Sequence, residues 1–289
     1  MHRAVFFGYS FVIWDWVDIG MILVNGIEQS NVAVTDRAMQ YGDGCFTTIL
    51  VEHGKPRLWP LHLQRLQNNV AAFHITDPDW AQVTETVHLL AAKYPDHGGV
   101  KVLISRGSGG RGYSSVGCTT TQVVISDFAW PAHYTAWQQQ GIALGVCQQR
   151  LALSPMLAGF KHLNRLEQVL LKQETEQAGW LDAVALDVNG DVVEATASNI
   201  FWRRGQTLYT PELDMSGVHG VMRAHVITLA ADCGYCIEFV KKPLDVLLCA
   251  DEVFITNALM ALVPVTEING TRFAAHTALK VLNKRLYTC

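Results

Sequence analysis

The stretch Ala183-Val184-Ala185-Leu186-Asp187-Val188-Asn189-Gly190-Asp191-Val192-Val193-Glu194-Ala195 reads as two apolar, β-branched runs joined by Asn-Gly. Asn-Gly favours a type I′ turn, because both central residues need φ > 0, so the stretch predicts an antiparallel hairpin. Similar signals recur outward in both directions. Asn25-Gly26 follows Met21-Ile-Leu-Val24, and His53-Gly54 separates residues 47–52 from 56–59. Arg204-Gly205 follows residues 200–202, and Asn269-Gly270 falls late in the chain. Turns placed this way predict mostly antiparallel sheets.

Helical periodicity lies between the turns. Residues 60–74 carry Leu61, Leu63, Leu66, Val70 and Phe73, and residues 79–94 carry Trp80, Val83, Val87 and Leu90. Residues 162–178 repeat Leu163, Leu166, Val169 and Leu170 and stop at Gly179, a C′ glycine signal. Residues 221–232 end before Gly234, and a last helix covers about 277–286. The fold class is α+β. The composition change around Pro131 and the glutamine run before Gly141 marks a linker at 131–140. It separates a small α+β domain at 21–130 from a larger one at 141–289.

Composition fits this reading. The 289 residues are 49% hydrophobic and 17% charged, as in a well-cored globular chain of about two domains. Twenty-two basic and 26 acidic residues give a net charge of −4, which argues against a duplex nucleic-acid partner. Seven scattered cysteines suit a reducing cytosol better than a disulfide framework. Residues 1–20 are aromatic-rich and resemble a leader, but Asp15 and Asp18 break the apolar run and no small-x-small cleavage site follows. They read as an extension outside the fold, with a cleaner start at Met21. No segment reaches the roughly 18 apolar residues of a membrane span, so a soluble protein is expected.

Two motifs fail on context. Gly107-Ser-Gly109-Gly-Arg111-Gly112 fits G-x-G-x-x-G after a strand, but no helix opens on the third glycine. A glycine loop carrying Arg106 and Arg111 is the better reading, able to hold carboxylates or simply to sit in solvent. Cys233-Gly-Tyr-Cys236 closes a helix instead of opening one, unlike a redox pair. The histidines show no metal-ligand spacing, so no metal is expected.

Four features carry chemistry when taken together. Lys161, in Leu157-Ala-Gly-Phe-Lys161-His-Leu-Asn-Arg165, has an apolar neighbourhood that would lower its pKa toward a nucleophilic amine. Glu194 follows the hairpin beside small residues, where a carboxylate can pair with a pyridine nitrogen. Arg65 lies on an otherwise amphipathic helix and can grip a phosphate. Gly217-Val-His-Gly220-Val221-Met222 opens a helix whose free N–H groups point at an anion. Each alone also reads blandly, as a solvated lysine, a surface glutamate, a solvated arginine and an ordinary turn.

The segments Asp36-Arg37-Ala-Met-Gln-Tyr41-Gly42-Asp43-Gly44-Cys-Phe46, Lys161-His-Leu-Asn-Arg-Leu-Glu-Gln168, Glu194…Ser198-Asn199-Ile-Phe201 and Thr256-Asn257-Ala258-Leu-Met260 resemble the fold-type IV pyridoxal-phosphate enzymes. This is the superfamily of branched-chain and D-amino-acid aminotransferases, and the resemblance runs from about Met21 to the C-terminus. Residues 105–114 and 158–168 resemble its lyase branch. The resemblance implies a two-domain fold, a pyridoxal 5′-phosphate cofactor and a homodimer. It implies that Lys161 carries the cofactor and Glu194 pairs with its ring nitrogen. Arg65, the amides of Val221 and Met222, and Asn257 and Ala258 then surround the phosphate. Arg106, Arg111 and Tyr113 would hold substrate carboxylate, with Tyr41 and Thr48 facing the site. The implied reaction converts 4-amino-4-deoxychorismate to 4-aminobenzoate and pyruvate, a step toward folate. An aminotransferase would use the same Lys161 and Glu194 with a keto-acid acceptor, and a binding protein would keep the fold without the cofactor.

Overall fold

A computed structural model describes residues 19–286, so the reading of residues 1–18 as an extension lies outside the described residues. Ile19 and Gly20 already belong to the first strand, where Ile19 pairs with Phe128. The strand thus begins two residues before the boundary expected at Met21.

The first sheet holds β1 (Ile19–Val24), β2 (Ile27–Glu28), β3 (Gly44–Glu52), β4 (Lys55–Pro56), β5 (His97–Ser105) and β6 (Gln122–Ala129). Their order is β2-β1-β6-β5-β3-β4, and each pairing is antiparallel. A short helix, α1 (Arg37–Tyr41), precedes β3 and is capped by the Asp36 side chain. Two longer helices, α2 (Trp59–Ala72) and α3 (Trp80–Ala91), cover one face. Asp79 starts α3 by accepting from the N–H groups of Ala81 and Gln82. Leu66 and Val70 of α2 and Val83, Val87 and Leu90 of α3 bury against Ile49, Val51, Val100, Val102 and Ile104. Each fully buried side chain of this kind contributes roughly 1.5–3 kcal/mol.

The expected linker is helical. Residues His133–Gln140 form α4, whose Tyr134 and Trp137 lie on one face and pack toward the second core. Trp130 Nε1 donates to Leu259 O and Gln138 Nε2 to Met260 O, at 2.8 and 2.9 Å. Eight residues are too few for the periodicity that reveals longer helices.

The second sheet comprises β7 (Ile142–Leu151), β8 (Asp182–Asp187), β9 (Val192–Ala195), β10 (Asn199–Arg204), β11 (Thr207–Pro211), β12 (Cys236–Val240), β13 (Glu252–Asn257) and β14 (Ala261–Ile268). The order is β12-β11-β10-β13-β14-β7-β8-β9, with β15 (Thr271–Arg272) pairing β14. It is mixed rather than antiparallel throughout: β7–β8, β11–β12 and β14–β7 are parallel. Parallel neighbours need crossovers, and helices α5 (Leu166–Gln177) and α6 (Val221–Asp232) lie within two of them. Helix α7 (Leu244–Leu248) and helix α8 (Thr277–Leu286) complete the chain, α8 packing on α6 through Leu279 and Leu282.

The turns divide into two kinds. Asn25-Gly26, His53-Gly54 and Asn269-Gly270 have both residues at positive φ, as type I′ requires. At Asn189-Gly190 only Gly190 does. There Asp187 Oδ1 accepts from Asn189 N and Asp191 N, so a side chain shapes a wider turn.

Candidate active site

Lys161 does not open a helix. Helix α5 begins at Leu166, and residues 159–163 are held between two neighbours, with isolated bridges from Gly159 to Val218 and from His162 to Cys45. On one side Phe46 N donates to Lys161 O and Leu163 N to Gly44 O, both at 3.0 Å. On the other, Gly159 N donates to Gly217 O and His219 N to Gly159 O. These bonds take the backbone groups a helix would need. Gly159 has φ +80°, and a Cβ there would meet His219 Cδ2 at 2.1 Å, so the close approach requires glycine. The lysine side chain enters a cavity of about 860 Å³, with Nζ 4.5 Å from the Phe46 ring centroid. Burial, reinforced by the charges of Arg65 and Arg165, pushes its amine down to about 7.

Glu194 enters the same cavity from β9 and is 6% exposed. Its Oε2 accepts from Val218 N at 3.1 Å. Burial pushes the carboxyl up to about 7, against the Val218 N–H and the charges of Lys161 and Arg165. A buried acid and a buried amine thus face one ligand-sized space, both poised near neutrality.

A third group of residues makes an anion-binding end. Arg65 lines the cavity, donates to Thr47 Oγ1 through Nη2, and leaves its buried Nε without a partner. Burial pushes its guanidinium down to about 10. Helix α6 starts at Gly220, which has no side chain to cap the following amides. A Cβ at Gly220 would meet Asn199 Oδ1 at 2.0 Å, so glycine permits the close fit. Val221 lines the cavity. The Met222 side chain is buried in the core with Val226, so only its N–H is left to serve. Asn257 and Ala258 also line the cavity, but the Asn257 side chain is occupied. It donates to Ala197 O and accepts from Leu259 N and Met260 N, making it a turn former. Thr48 lines the wall.

The other expected substrate residues do not reach this cavity. Arg106 donates through Nε to Asp43 at 2.7 Å and through Nη1 and Nη2 to His74 O and Phe73 O, each 2.7 Å. Each guanidinium nitrogen already donates to protein, so within this subunit Arg106 braces the base of the glycine loop and does not line the cavity. Arg111 is exposed on the glycine loop, and Tyr113 is 90% exposed with its ring 5.6 Å from that of Tyr41. Conversely, Arg165, Gln168 and Tyr134 line the cavity without having been singled out. Arg165 stands in the same segment as Lys161, a signal available in sequence. Tyr134 sits on the unexpected α4 and carries none.

The pyridoxal-phosphate fit can be judged from these side chains. An amine pushed toward neutrality, a buried carboxyl, an unpartnered buried Arg65 Nε and uncapped helix amides match the aldehyde, ring nitrogen and phosphate of that cofactor.

Residues 44–268 match the family model for amino-transferase class IV. The chain is 42% identical over 266 residues to the aminodeoxychorismate lyase of Vibrio harveyi, covering 92% of this chain and 98% of that protein. The crystal structure of 4-amino-4-deoxychorismate lyase from Pseudomonas aeruginosa superposes with a TM-score of 0.87 at 34% identity, covering 93% and 99% of the two chains. The branched-chain amino acid aminotransferase of Escherichia coli shares the fold at 24% identity, with a TM-score of 0.81 and coverage of 94% and 95%.

Proposed function

The chain belongs to the class IV amino-transferase family, and from that premise we propose a pyridoxal-phosphate-dependent lyase that converts 4-amino-4-deoxychorismate to 4-aminobenzoate and pyruvate. The observation that carries this reading is the pairing of Lys161 and Glu194 in one cavity, in a chain 42% identical to such a lyase. Lys161 holds the cofactor, Glu194 faces its ring nitrogen, and Arg65 with the Val221 and Met222 amides holds its phosphate. The backbone at Asn257 and Ala258 closes that end. When bound, the cofactor supplies an electron sink for charge at the carbon bearing the substrate amine.

The protein's own part is proton handling and positioning. Lys161, whose amine is pushed down to about 7 so that its neutral form is accessible near pH 7, is a base for the proton on the ring carbon that bears nitrogen. Loss of that proton accompanies departure of the enolpyruvyl oxygen from the adjacent carbon and leaves an aromatic ring. The Lys161 ammonium then returns the proton to the methylene carbon of the departing enolpyruvate, giving pyruvate. Glu194 as carboxylate keeps the facing nitrogen protonated. Arg165 and Lys172 line the cavity and suit a substrate with two carboxylates, Arg165 through the N–H donors left after its Nε and Nη2 bond His162 O and Phe160 O, and Lys172 as a cation whose Nζ also bonds Leu181 O.

The active unit is a homodimer. Val34 (78% exposed), Met39, Tyr113 and Val116 are large hydrophobic residues left exposed on the segments around Arg37 and the glycine loop. Arg37 fixes that loop by donating to the carbonyls of Gly112, Tyr113 and Ser114. A second copy covers these residues, and Arg111, Tyr113 and Tyr41 meet substrate only across that contact. The six described cysteines are free, as a cytosolic location requires. Among the described residues no helix is long and apolar enough to cross a membrane.

The deciding experiment supplies the holoenzyme with 4-amino-4-deoxychorismate and no keto acid. Equimolar pyruvate and 4-aminobenzoate are expected. Turnover that depends on added 2-oxoglutarate would instead establish an aminotransferase.

A further inference from the structure

Thr47 lies between Phe46 and Thr48 on β3, and successive strand residues face opposite sides. Phe46 and Thr48 line the cavity, whereas Thr47 is fully buried behind it, against α2. His62 and Arg65 are three residues apart on α2 and share one face. The Thr47 hydroxyl stands between them. It accepts from Arg65 Nη2, and its oxygen is 2.6 Å from His62 Nδ1.

The donors and acceptors allow one consistent arrangement. A guanidinium only donates, and a hydroxyl has one proton to give. With Arg65 donating to Thr47, the Thr47 proton is left for His62 Nδ1. The alternative, in which Nδ1–H donates to Thr47, strands the hydroxyl proton in a site sealed from water, at a cost of roughly 1–3 kcal/mol. His62 is 1% exposed, and burial together with the Arg65 charge holds it well below the ordinary imidazole range. The doubly protonated ring is therefore disfavoured. His62 is the neutral tautomer with its proton on Nε2.

We propose that Thr47 and His62 are positioning residues, forming a buried relay that fixes the guanidinium of Arg65 so that its remaining donors are held for the cofactor phosphate. The relay rests on the proposed anchoring of that phosphate by Arg65. It touches neither the cofactor nor the substrate. A rotatable guanidinium would hold the anion in several poses, and the relay selects one.

The test measures binding by apoprotein, without turnover. Dissociation constants for pyridoxal phosphate and for pyridoxal, which lacks the phosphate, are measured for the parent, Thr47→Val, Thr47→Ser and Arg65→Gln. Thr47→Val is expected to weaken pyridoxal phosphate binding by about 10–100-fold, the usual effect of removing an orienting partner. Pyridoxal binding should stay within about twofold by the same reasoning, because it makes no use of Arg65. Thr47→Ser should restore the parent value. Unchanged pyridoxal phosphate affinity in Thr47→Val, beside a weakened Arg65→Gln, overturns the relay and keeps the anchor. Unchanged affinity in Arg65→Gln overturns the anchor and the relay with it. Equal weakening of both ligands in Thr47→Val assigns the threonine a purely structural role and also overturns the relay. If Thr47→Val does not fold, nitrogen-15 NMR of the parent's histidines decides: a protonated Nδ1 on His62 overturns the relay, and an unprotonated one supports it.

Discussion

Two arginine-bearing regions of the chain read alike in sequence and differ in what the fold leaves them free to do. Around the cavity, Arg65 makes one side-chain bond and keeps a buried Nε unpartnered. In the glycine loop region, Arg106 satisfies all three guanidinium nitrogens with Asp43, His74 O and Phe73 O. Arg37, from a segment that carried the family resemblance, is likewise filled by Asp43 and three loop carbonyls. A cation is available to a ligand where protein acceptors leave its donors empty, and charge alone does not reveal that. The loop arginines build a rigid platform, and the cavity arginine waits for an anion.

The largest test of this contrast lies at the centre of the cavity. Lys161→Ala should lower kcat by roughly 10⁴-fold, the upper end for a lost catalytic base, and abolish the visible absorption of the holoenzyme. Coupled pyruvate detection and a spectrum check both. Glu194→Gln should follow with about a 10²–10³-fold loss, as for removal of a preorganised electrostatic partner. The lysine also sets a pH signature. Its folded pKa of about 7 lies below the ordinary lysine value, so the unfolded chain holds the extra proton between the two. Stability of the apoprotein from this group therefore rises with pH from about 7 upward, and Lys161→Met should remove that rise in urea melts. The rate at which apoprotein captures pyridoxal phosphate should likewise climb as pH passes through about 7, because only the neutral amine attacks the aldehyde.

A smaller effect is expected on the platform. Arg111→Ala should raise KM about tenfold, one charge-assisted contact's worth. Because Arg111 lies outside its own subunit's cavity, mixing Arg111→Ala with Lys161→Ala subunits should recover activity in heterodimers. No recovery would confine Arg111 to a surface role.

How much of this was legible in sequence follows the same division. Helix α8 lies where its amphipathic periodicity places it, and α6 where its apolar run and the following Gly234 place it. The Lys161 segment also has helical spacing, yet it stays outside the helix because β3 and Gly217 claim its backbone groups, and those partners are more than fifty residues away in sequence. Three parallel strand pairs were hidden for the same reason: turn signals report local hairpins and say nothing of crossovers. Lys161, Glu194 and Arg65, each standing in a distinctive segment, line one cavity. Whether an arginine's donors are already filled was not legible, since Phe73 O and His74 O reach Arg106 only through the fold.

The smallest catalytic effect should come from Arg106 itself. If its donors serve the platform, Arg106→Gln leaves KM unchanged and lowers stability by about 1–3 kcal/mol, read by urea denaturation. Asp43 supplies a second reading of the same variant. Burial pushes its carboxyl up, but the bonds and charges of Arg106 and Arg37 outweigh burial and hold it below the ordinary aspartate value. A carboxyl depressed in the folded state contributes stability above its unfolded pKa, and that stability is lost as pH falls through the folded value. Removing Arg106 weakens the depression, so Arg106→Gln should lose less stability than the parent when acidified below about pH 4. A raised KM with unchanged acid sensitivity would move Arg106 from the platform to the substrate and erase the contrast between the two regions.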